Sequence, residues 1–180
     1  AQRGARKRVL AQLLRERNRH REAIAALHQH LAGDPDDFRG HFELALTRLS
    51  EGADHGSALT DVERAISISP ESAIAHALRS AILNRLDRHA ESIKSADGAL
   101  AIEPEMSFAW FCRGNALLGQ RKLPEAEDAA RKALSLDPDD SSASNLLATV
   151  LRLRGKLDEA EVEIERHLAR DPENAWTFAT

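Results

Sequence analysis

The chain has 180 residues, a net charge of −4 and a hydrophobic fraction of 42%. No stretch approaches the roughly 18 consecutive apolar residues that a membrane span needs, so we expect no transmembrane segment. The single cysteine, Cys112, excludes an internal disulfide, which favours a cytoplasmic location and leaves a periplasmic one open.

The first predicted helix is strongly basic. Residues 1–30 carry eight basic and two acidic side chains, although the chain as a whole is acidic. A basic end on an acidic body is typical of contact with nucleic acid, anionic lipid or an acidic partner region. The alternative, which we favour, is a solvated capping helix, because terminal repeats need a polar outer face. The chain starts at Ala1 with no signal-sequence pattern, so we expect a processed form or a part of a longer protein.

Five of the six prolines divide the chain into units of nearly equal length. They lie at positions 35, 70, 104, 138 and 172, at intervals of 35, 34, 34 and 34 residues. A fixed period of about 34 residues is typical of stacked helix-turn-helix units. Placing each proline at position 32 of a unit predicts a single array over 1–180, with units at about 4–37, 38–72, 73–106, 107–140 and 141–174.

Small residues recur at two positions of every unit. Position 8 is occupied by Ala11, Ala45, Ser80, Gly114 and Ala148. Position 20 is occupied by Ala23, Ala58, Ser92, Ala126 and Ala160. We expect the two helices of each unit to cross most closely there. The second unit is one residue longer than the others, and the extra residue lies between Leu49 and Ala58, where two glycines predict a looser turn.

The fourth unit shows the repeat most clearly. It contains Trp110, Gly114, Ala126, Ala133 and Pro138. This spacing resembles the tetratricopeptide repeat (TPR), in which W-x₂-L-G-x₂-Y is followed by A-x₃-F and by P. The resemblance implies an all-α fold, a right-handed α-solenoid of five TPR helix-turn-helix units plus the start of a sixth. That partial unit or cap would occupy 175–180.

The same resemblance implies a concave groove lined by the first helices of successive units. Carrying the family's inward-facing positions over to this chain predicts a peptide groove formed by Phe42, Leu46, Ile74, Ala77, Asn84, Phe108, Phe111, Asn115, Asn145 and Arg152. The three phenylalanines would be apolar anchors for a peptide, and the three asparagines would bond its backbone, since an amide both donates and accepts. The alternative is that some phenylalanines pack between helices and the asparagines are only solvated.

The resemblance does not extend to family members that hold the C-terminal carboxylate of a chaperone. The positions that match their ligand-binding residues are Arg8, Gln12, Glu43, Ile74 and Leu78. Only Arg8 keeps the required charge, and Glu43 would repel a carboxylate. We therefore do not expect the first three units to receive a chaperone tail.

No pattern in the chain indicates catalysis, a cofactor or a metal. Cys112 lies in an apolar first helix, where a buried and unreactive thiol is expected, and no phosphate-binding loop or nucleophile elbow occurs. His28 and His30 are two residues apart, so on a helix they point to different sides and do not share an ion. We predict no enzymatic activity, no cofactor and no metal site.

These observations predict a protein–protein interaction scaffold, and they leave the partner's identity open because a fold gives a mode of binding rather than a ligand. One alternative is self-assembly through the C-terminal end, with Trp176 and Phe178 packed against another copy. Another is a regulatory arm of a catalytic or membrane domain outside this chain. With 4% aromatic residues and no tyrosine, surfaces for stacking bases are scarce, so nucleic-acid contact through the basic helix would be nonspecific.

Overall fold

Ten α-helices form the described part of the chain, and they follow one another as five antiparallel pairs. The structure is a computed structural model that describes residues 2–52 and 54–170. Over those residues it has no strand and no helix long and apolar enough to cross a membrane. The helices are α1 (Gln2–Glu16), α2 (His20–Leu31), α3 (Phe38–Glu51), α4 (His55–Ile68), α5 (Ala73–Arg85), α6 (His89–Ile102), α7 (Ser107–Gly119), α8 (Leu123–Leu136), α9 (Ser141–Leu153) and α10 (Leu157–Arg170).

The two helices of every unit cross at the small residues of positions 8 and 20. All ten of these residues are buried. In the third unit both are serines, and the Oγ atoms of Ser80 and Ser92 lie 2.8 Å apart. In the fourth unit a methyl group on Gly114 would come within 3.4 Å of Ala129 Cβ on α8, and within 2.8 Å of Leu146 Cδ2 on α9 of the next unit. The crossing therefore requires small side chains whatever their polarity.

The proline turns between units are tied to the first helix that follows them. The Nε2 atom of His41 donates a hydrogen bond to the Pro35 carbonyl at 2.9 Å, and His76 donates to the Pro70 carbonyl at 2.9 Å. In the fourth unit Trp110 Nε1 makes the same bond to the carbonyl of residue 104 at 2.9 Å. Three successive units thus use a ring N–H at position 4 to close the turn six residues earlier.

The turn inside each unit has three residues, including the unit with the extra residue. In the other four units the middle residue is left-handed, at Asn18, Asp87, Arg121 and Gly155. In the second unit α3 has 14 residues where α5 has 13, and Gly52 ends it with φ +76°. The predicted looser turn is wrong: the extra residue extends α3, and a glycine that accepts positive φ ends the helix.

The first helices of neighbouring units lie against one another. α1 contacts α3, α3 contacts α5, α5 contacts α7 and α7 contacts α9, whereas second helices do not pack on each other to this extent within the described residues. An array that is closer packed along one row of helices curves toward that row. The first helices therefore line its inner side.

Asp37 forms the polar joint between the first and second units. Its carboxylate accepts hydrogen bonds from Gly40 N at 3.0 Å, as the N-cap of α3, and from His30 Nε2 at 2.6 Å. Arg8 Nε lies 3.4 Å from the same oxygen. Burial opposes ionisation, but the hydrogen bond from His30 and the charge of Arg8 outweigh it and hold the pKa of Asp37 below its usual range.

A buried glutamate forms the joint between the fourth and fifth units. Glu127 on α8 is 1% exposed and contacts Arg131, Arg154 and Lys156, with Lys156 Nζ at 2.9 Å. Burial opposes its ionisation, yet the hydrogen bonds from Lys156 and Arg154 and the charge of Arg131 outweigh burial and hold the pKa of Glu127 below its usual range. Arg131 lies on α8 itself, and Arg154 and Lys156 connect α8 to the turn between α9 and α10.

One face of α1 is apolar and exposed. Val9, Leu10 and Leu13 are 58%, 50% and 49% exposed, and no described helix covers them. The residues at the same positions of α9 are Leu146, Leu147 and Val150, which are buried against the fourth unit. The α1 face thus has the character of a surface that a further helix pair would cover. The expected partial unit at 175–180 lies outside the described residues.

Candidate functional site: a groove along the first helices

A concave groove runs along the inner side of the third, fourth and fifth units. Its volume is about 570 Å³, and α5, α7 and α9 supply most of its wall. No carboxylate lines it. The lining residues are Leu49, Ala81, Asn84, Arg85, His89, Phe108, Phe111, Cys112, Asn115, Leu118, Ser142, Asn145, Leu146 and Thr149. Five of the ten residues predicted for the groove are brought together here.

Phe108 and Phe111 form the apolar part of the groove. Their ring centroids lie 6.3 Å apart with the planes inclined by 26°. Phe108 also packs against the buried cluster around Ala109, and Phe111 against the cluster that contains Leu146. Both rings are half-buried, so they serve the packing of α7 and offer one side to the groove.

The asparagines in the groove have different surroundings. Asn84 Nδ2 donates to the Cys112 carbonyl at 2.9 Å, so its donor already joins α5 to α7. Its Oδ1 is buried without a hydrogen-bond partner among the described residues. Asn115 lines the groove and makes no hydrogen bond to any described residue. Asn115 is therefore the amide that can meet a ligand without breaking a protein contact.

The other predicted groove residues lie outside this cavity. Phe42 stacks on Phe38 with centroids 5.9 Å apart, and both Phe42 and Leu46 pack half-buried against the cluster of the second unit. Ile74 is 40% exposed on α5, and Arg152 is exposed on α9. The prediction that Ala77 lines the groove is wrong. Ala77 is 0% exposed because α5 and α7 pack closely there, so its side chain does not contact a ligand.

His89, which begins a second helix, also lines the groove and was not predicted from the sequence. Its ring lies over Gly119, where a methyl group would come within 2.5 Å of His89 Nε2. The signal that could have revealed it is Gly119 itself, a residue without a side chain at an inward-facing position where α9 carries Leu153. The ring occupies the space that a side chain would fill.

Two groups that could carry chemistry have structural surroundings. Burial raises the pKa of the Cys112 thiol well above its usual range, so the thiolate that a nucleophile requires is disfavoured. His30, Asp34 and Asp37 bring three ligand atoms within 4.8 Å of one another, a spacing that could hold a metal ion. The Asp37 carboxylate is already shared by His30, Gly40 N and Arg8. The cation at Arg8 opposes a metal there.

Three arginines of the basic first unit form ion pairs across its border with the second unit. Arg15 Nη2 lies 3.4 Å from Glu43, Arg21 Nε lies 3.7 Å from Glu51, and Arg8 pairs with Asp37. Glu43 and Glu51 lie on α3 of the second unit, and Asp37 is the N-cap of the same helix. The three pairs reduce the positive charge that this end offers to a phosphate backbone.

The helix pairs, their small crossing residues and the inner groove define the chain as an α-helical repeat array of the solenoid class. A tetratricopeptide repeat model matches residues 8–58 and 113–175, which is more than half of the chain. The chain therefore belongs to the tetratricopeptide repeat family.

Solved structures with the same fold cover nearly the whole chain. PilW, a widely conserved type IV pilus biogenesis factor, superposes with a TM-score of 0.85 at 25% identity, covering 94% of this chain and 78% of PilW. A thermophilic TPR protein of Thermus thermophilus gives 0.84 at 20% identity, covering 94% and 92%. MamA from Desulfovibrio magneticus gives 0.77 at 18% identity, covering 94% and 95%. No curated protein matches the chain in sequence.

Proposed function

We propose that the chain is a protein-interaction scaffold that binds a peptide or partner segment in the groove between α5, α7 and α9, as one part of a larger protein. The observation that carries the proposal is the free Asn115 amide beside the Phe108–Phe111 pair in a groove of about 570 Å³. The pair offers an apolar contact, and the amide offers a donor and an acceptor to a peptide backbone. Repeat arrays use such extended concave surfaces for binding.

The test compares two variants that add the same aromatic side chain at different places. Asn115→Trp fills the groove, whereas Lys94→Trp places the ring on an exposed position of α6. Random peptides of about twelve residues are displayed and selected on the unmodified chain. We expect the selected peptides to bind the Lys94→Trp control as they bind the unmodified chain, and Asn115→Trp at least about tenfold more weakly.

Thermal unfolding of both variants is recorded alongside binding. Asn115 makes no hydrogen bond within the described residues, so its replacement should leave the melting temperature within a few degrees of the control. Peptides that bind Asn115→Trp as tightly as the control would contradict the proposal. So would the absence of any selected peptide.

Self-assembly is a second candidate function, and the apolar face of α1 favours it. Val9, Leu10 and Leu13 are exposed, although the same positions of α9 are buried by the preceding unit. Sedimentation over a range of concentrations would measure it. If a second copy covers this face, Leu10→Glu should shift the chain to monomer, and the exposed convex change Ala25→Glu should not. The C-terminal residues Trp176 and Phe178, predicted for the same role, lie outside the described residues.

A further inference from the structure

The carboxylates of the array are distributed unevenly between first and second helices. The first helices α5, α7 and α9 contain no aspartate or glutamate. The second helices α6, α8 and α10 contain two, three and five. Because the first helices line the inner side, the helices of that side carry no carboxylate along three units of a chain with a net charge of −4. The carboxylates near the groove lie in turns: Asp87 is 3.8 Å from His89, and Asp140 accepts a hydrogen bond from Ser142 N.

The arginines of these first helices fall into two groups. Arg79 Nη2 lies 3.2 Å from Glu63, and Arg113 Nε lies 2.8 Å from Asp97, so each pairs with the second helix of the preceding unit. Arg85 and Arg152 make no ion pair or hydrogen bond with any described residue. Their charges are exposed and unneutralised.

Both unpaired arginines border the groove. Arg85 is one of its lining residues on α5. Arg152 follows Asn145 by seven residues and Thr149 by three, which places it on the same face of α9 as these two lining residues. Since α7 packs between α5 and α9, the two cations lie on the helices that flank α7, each in the last turn of its helix, whereas Phe108 and Phe111 lie in the first turns of α7.

We propose that the groove selects an acidic, extended peptide segment. Its apolar side chains contact Phe108 and Phe111, and its aspartate or glutamate side chains pair with Arg85 and Arg152. A groove with unpaired cations and no carboxylate favours negative partners and repels positive ones, because positive potential at a binding surface steers and selects its partner. The inference rests on the proposed function and specifies the chemistry of its ligand.

A phosphate backbone is the competing occupant, and the groove fits it less well. Stacking on bases requires an aromatic face free of protein contacts, whereas Phe108 and Phe111 are half-buried in the packing of α7. Two cations also supply few phosphate contacts. A single-stranded oligonucleotide therefore enters the test as a separate probe.

The experiment uses three pools of twelve-residue peptides with amidated C-termini, so that the acidic pool carries only side-chain carboxylates. The pools share the same mixed apolar positions, and their polar positions hold Asp and Glu, Asn and Gln, or Lys and Arg. Each pool is selected on the unmodified chain, on Arg85→Gln with Arg152→Gln, and on the control Lys94→Gln with Lys132→Gln, which removes two exposed charges from second helices. A twelve-residue oligothymidylate is measured on the same three proteins.

We expect peptides from the acidic pool to bind about tenfold more tightly than those from the amide pool. The arginine double variant should remove most of that preference, and the lysine control should keep it. Equal binding of acidic and amide pools would overturn the acidic preference while leaving the peptide groove intact. The proposal would also be overturned if the arginine double variant kept the preference for acidic peptides. It would be overturned as well if the oligothymidylate bound the unmodified chain more tightly than the acidic peptides did and lost that binding in the arginine double variant. Failure of every pool to bind would overturn the proposed function itself.

Discussion

The crossings within units and the joints between units are built on different principles. All five crossings use the same solution, two small buried residues at positions 8 and 20. The joints differ from one to the next. An aspartate shared by His30 and Arg8 joins the first two units, the Asn84 amide joins α5 to α7, and Glu127 with three cations joins the last two.

The difference follows from what each contact requires. At a crossing, two backbones approach so closely that size alone decides which residue fits, as the Gly114 and Ser80–Ser92 crossings show. At a joint, side chains of several lengths can meet, and any complementary pair closes the gap. Crossings should therefore be sensitive to volume, and joints to chemistry.

The largest expected effect comes from adding volume at a crossing. Ala126→Leu inserts three carbon atoms beside Gly114, where the helices leave no room. We expect a loss of roughly 3 kcal/mol in the free energy of unfolding, at the upper end for overpacking. Urea denaturation measures it, with the exposed Ala25→Leu as the matched control. Equal stability of the two variants would show that the crossing tolerates volume.

A smaller effect is expected from removing the carboxylate of the last joint. Glu127→Ala takes away the common partner of Arg131, Arg154 and Lys156, at a cost of about 2 kcal/mol. Glu127→Leu should lower the free energy of unfolding by less than Glu127→Ala, because well-packed apolar residues replace buried ion pairs at little cost. The first three units already have apolar residues at this position, namely Ile24, Leu59 and Ile93. A leucine variant less stable than the alanine variant would contradict this ordering.

The same joint predicts a dependence on pH. The folded-state pKa of Glu127 is below its usual range, so its contribution to stability is fully present above the unfolded pKa of about 4.3 and is lost as the pH falls through the folded value. The free energy of unfolding of the unmodified chain should therefore fall relative to that of Glu127→Leu as the pH falls below about 4. Denaturation midpoints of the two proteins between about pH 6 and pH 3 measure this, and a constant difference would refute it.

The smallest effect is expected where chemistry changes at a crossing and size does not. Replacing Ser80 and Ser92 together by alanine removes the hydrogen bond between the two hydroxyl groups and the one from Ser92 Oγ to the Ser80 carbonyl, which stays within the ladder of α5. The variant reproduces the pair found at Ala11 and Ala23. We expect a change below about 0.5 kcal/mol, measured by the same denaturation. A loss comparable to that of Ala126→Leu would mean that this crossing depends on its hydroxyl groups.

This contrast also explains which parts of the molecule the sequence predicts. The helix pairs could be predicted because small residues recur at the crossings with the same period as the prolines. The extra residue was predicted in the correct interval, but it was expected in the turn. It instead extends α3 by one residue, Gly52 ends the helix, and the turn keeps three residues. Ala77 and Asn84 follow the inward-facing positions, yet close packing of α5 on α7 buries the first and engages the second. His89 depends on a glycine 30 residues later in the chain.

The hydrogen bonds from ring N–H groups to the proline turns determine where the boundaries of a stable fragment of the array should lie. The period of the sequence suggests fragments that start at Phe38, Ala73 or Ser107, where first helices begin. Such fragments would separate His41, His76 and Trp110 from the carbonyls they bind at residues 35, 70 and 104. A recombinant fragment that starts two residues before the proline keeps donor and acceptor together. The turns at Pro35, Pro70 and Pro104 thus belong physically to the repeats that follow them.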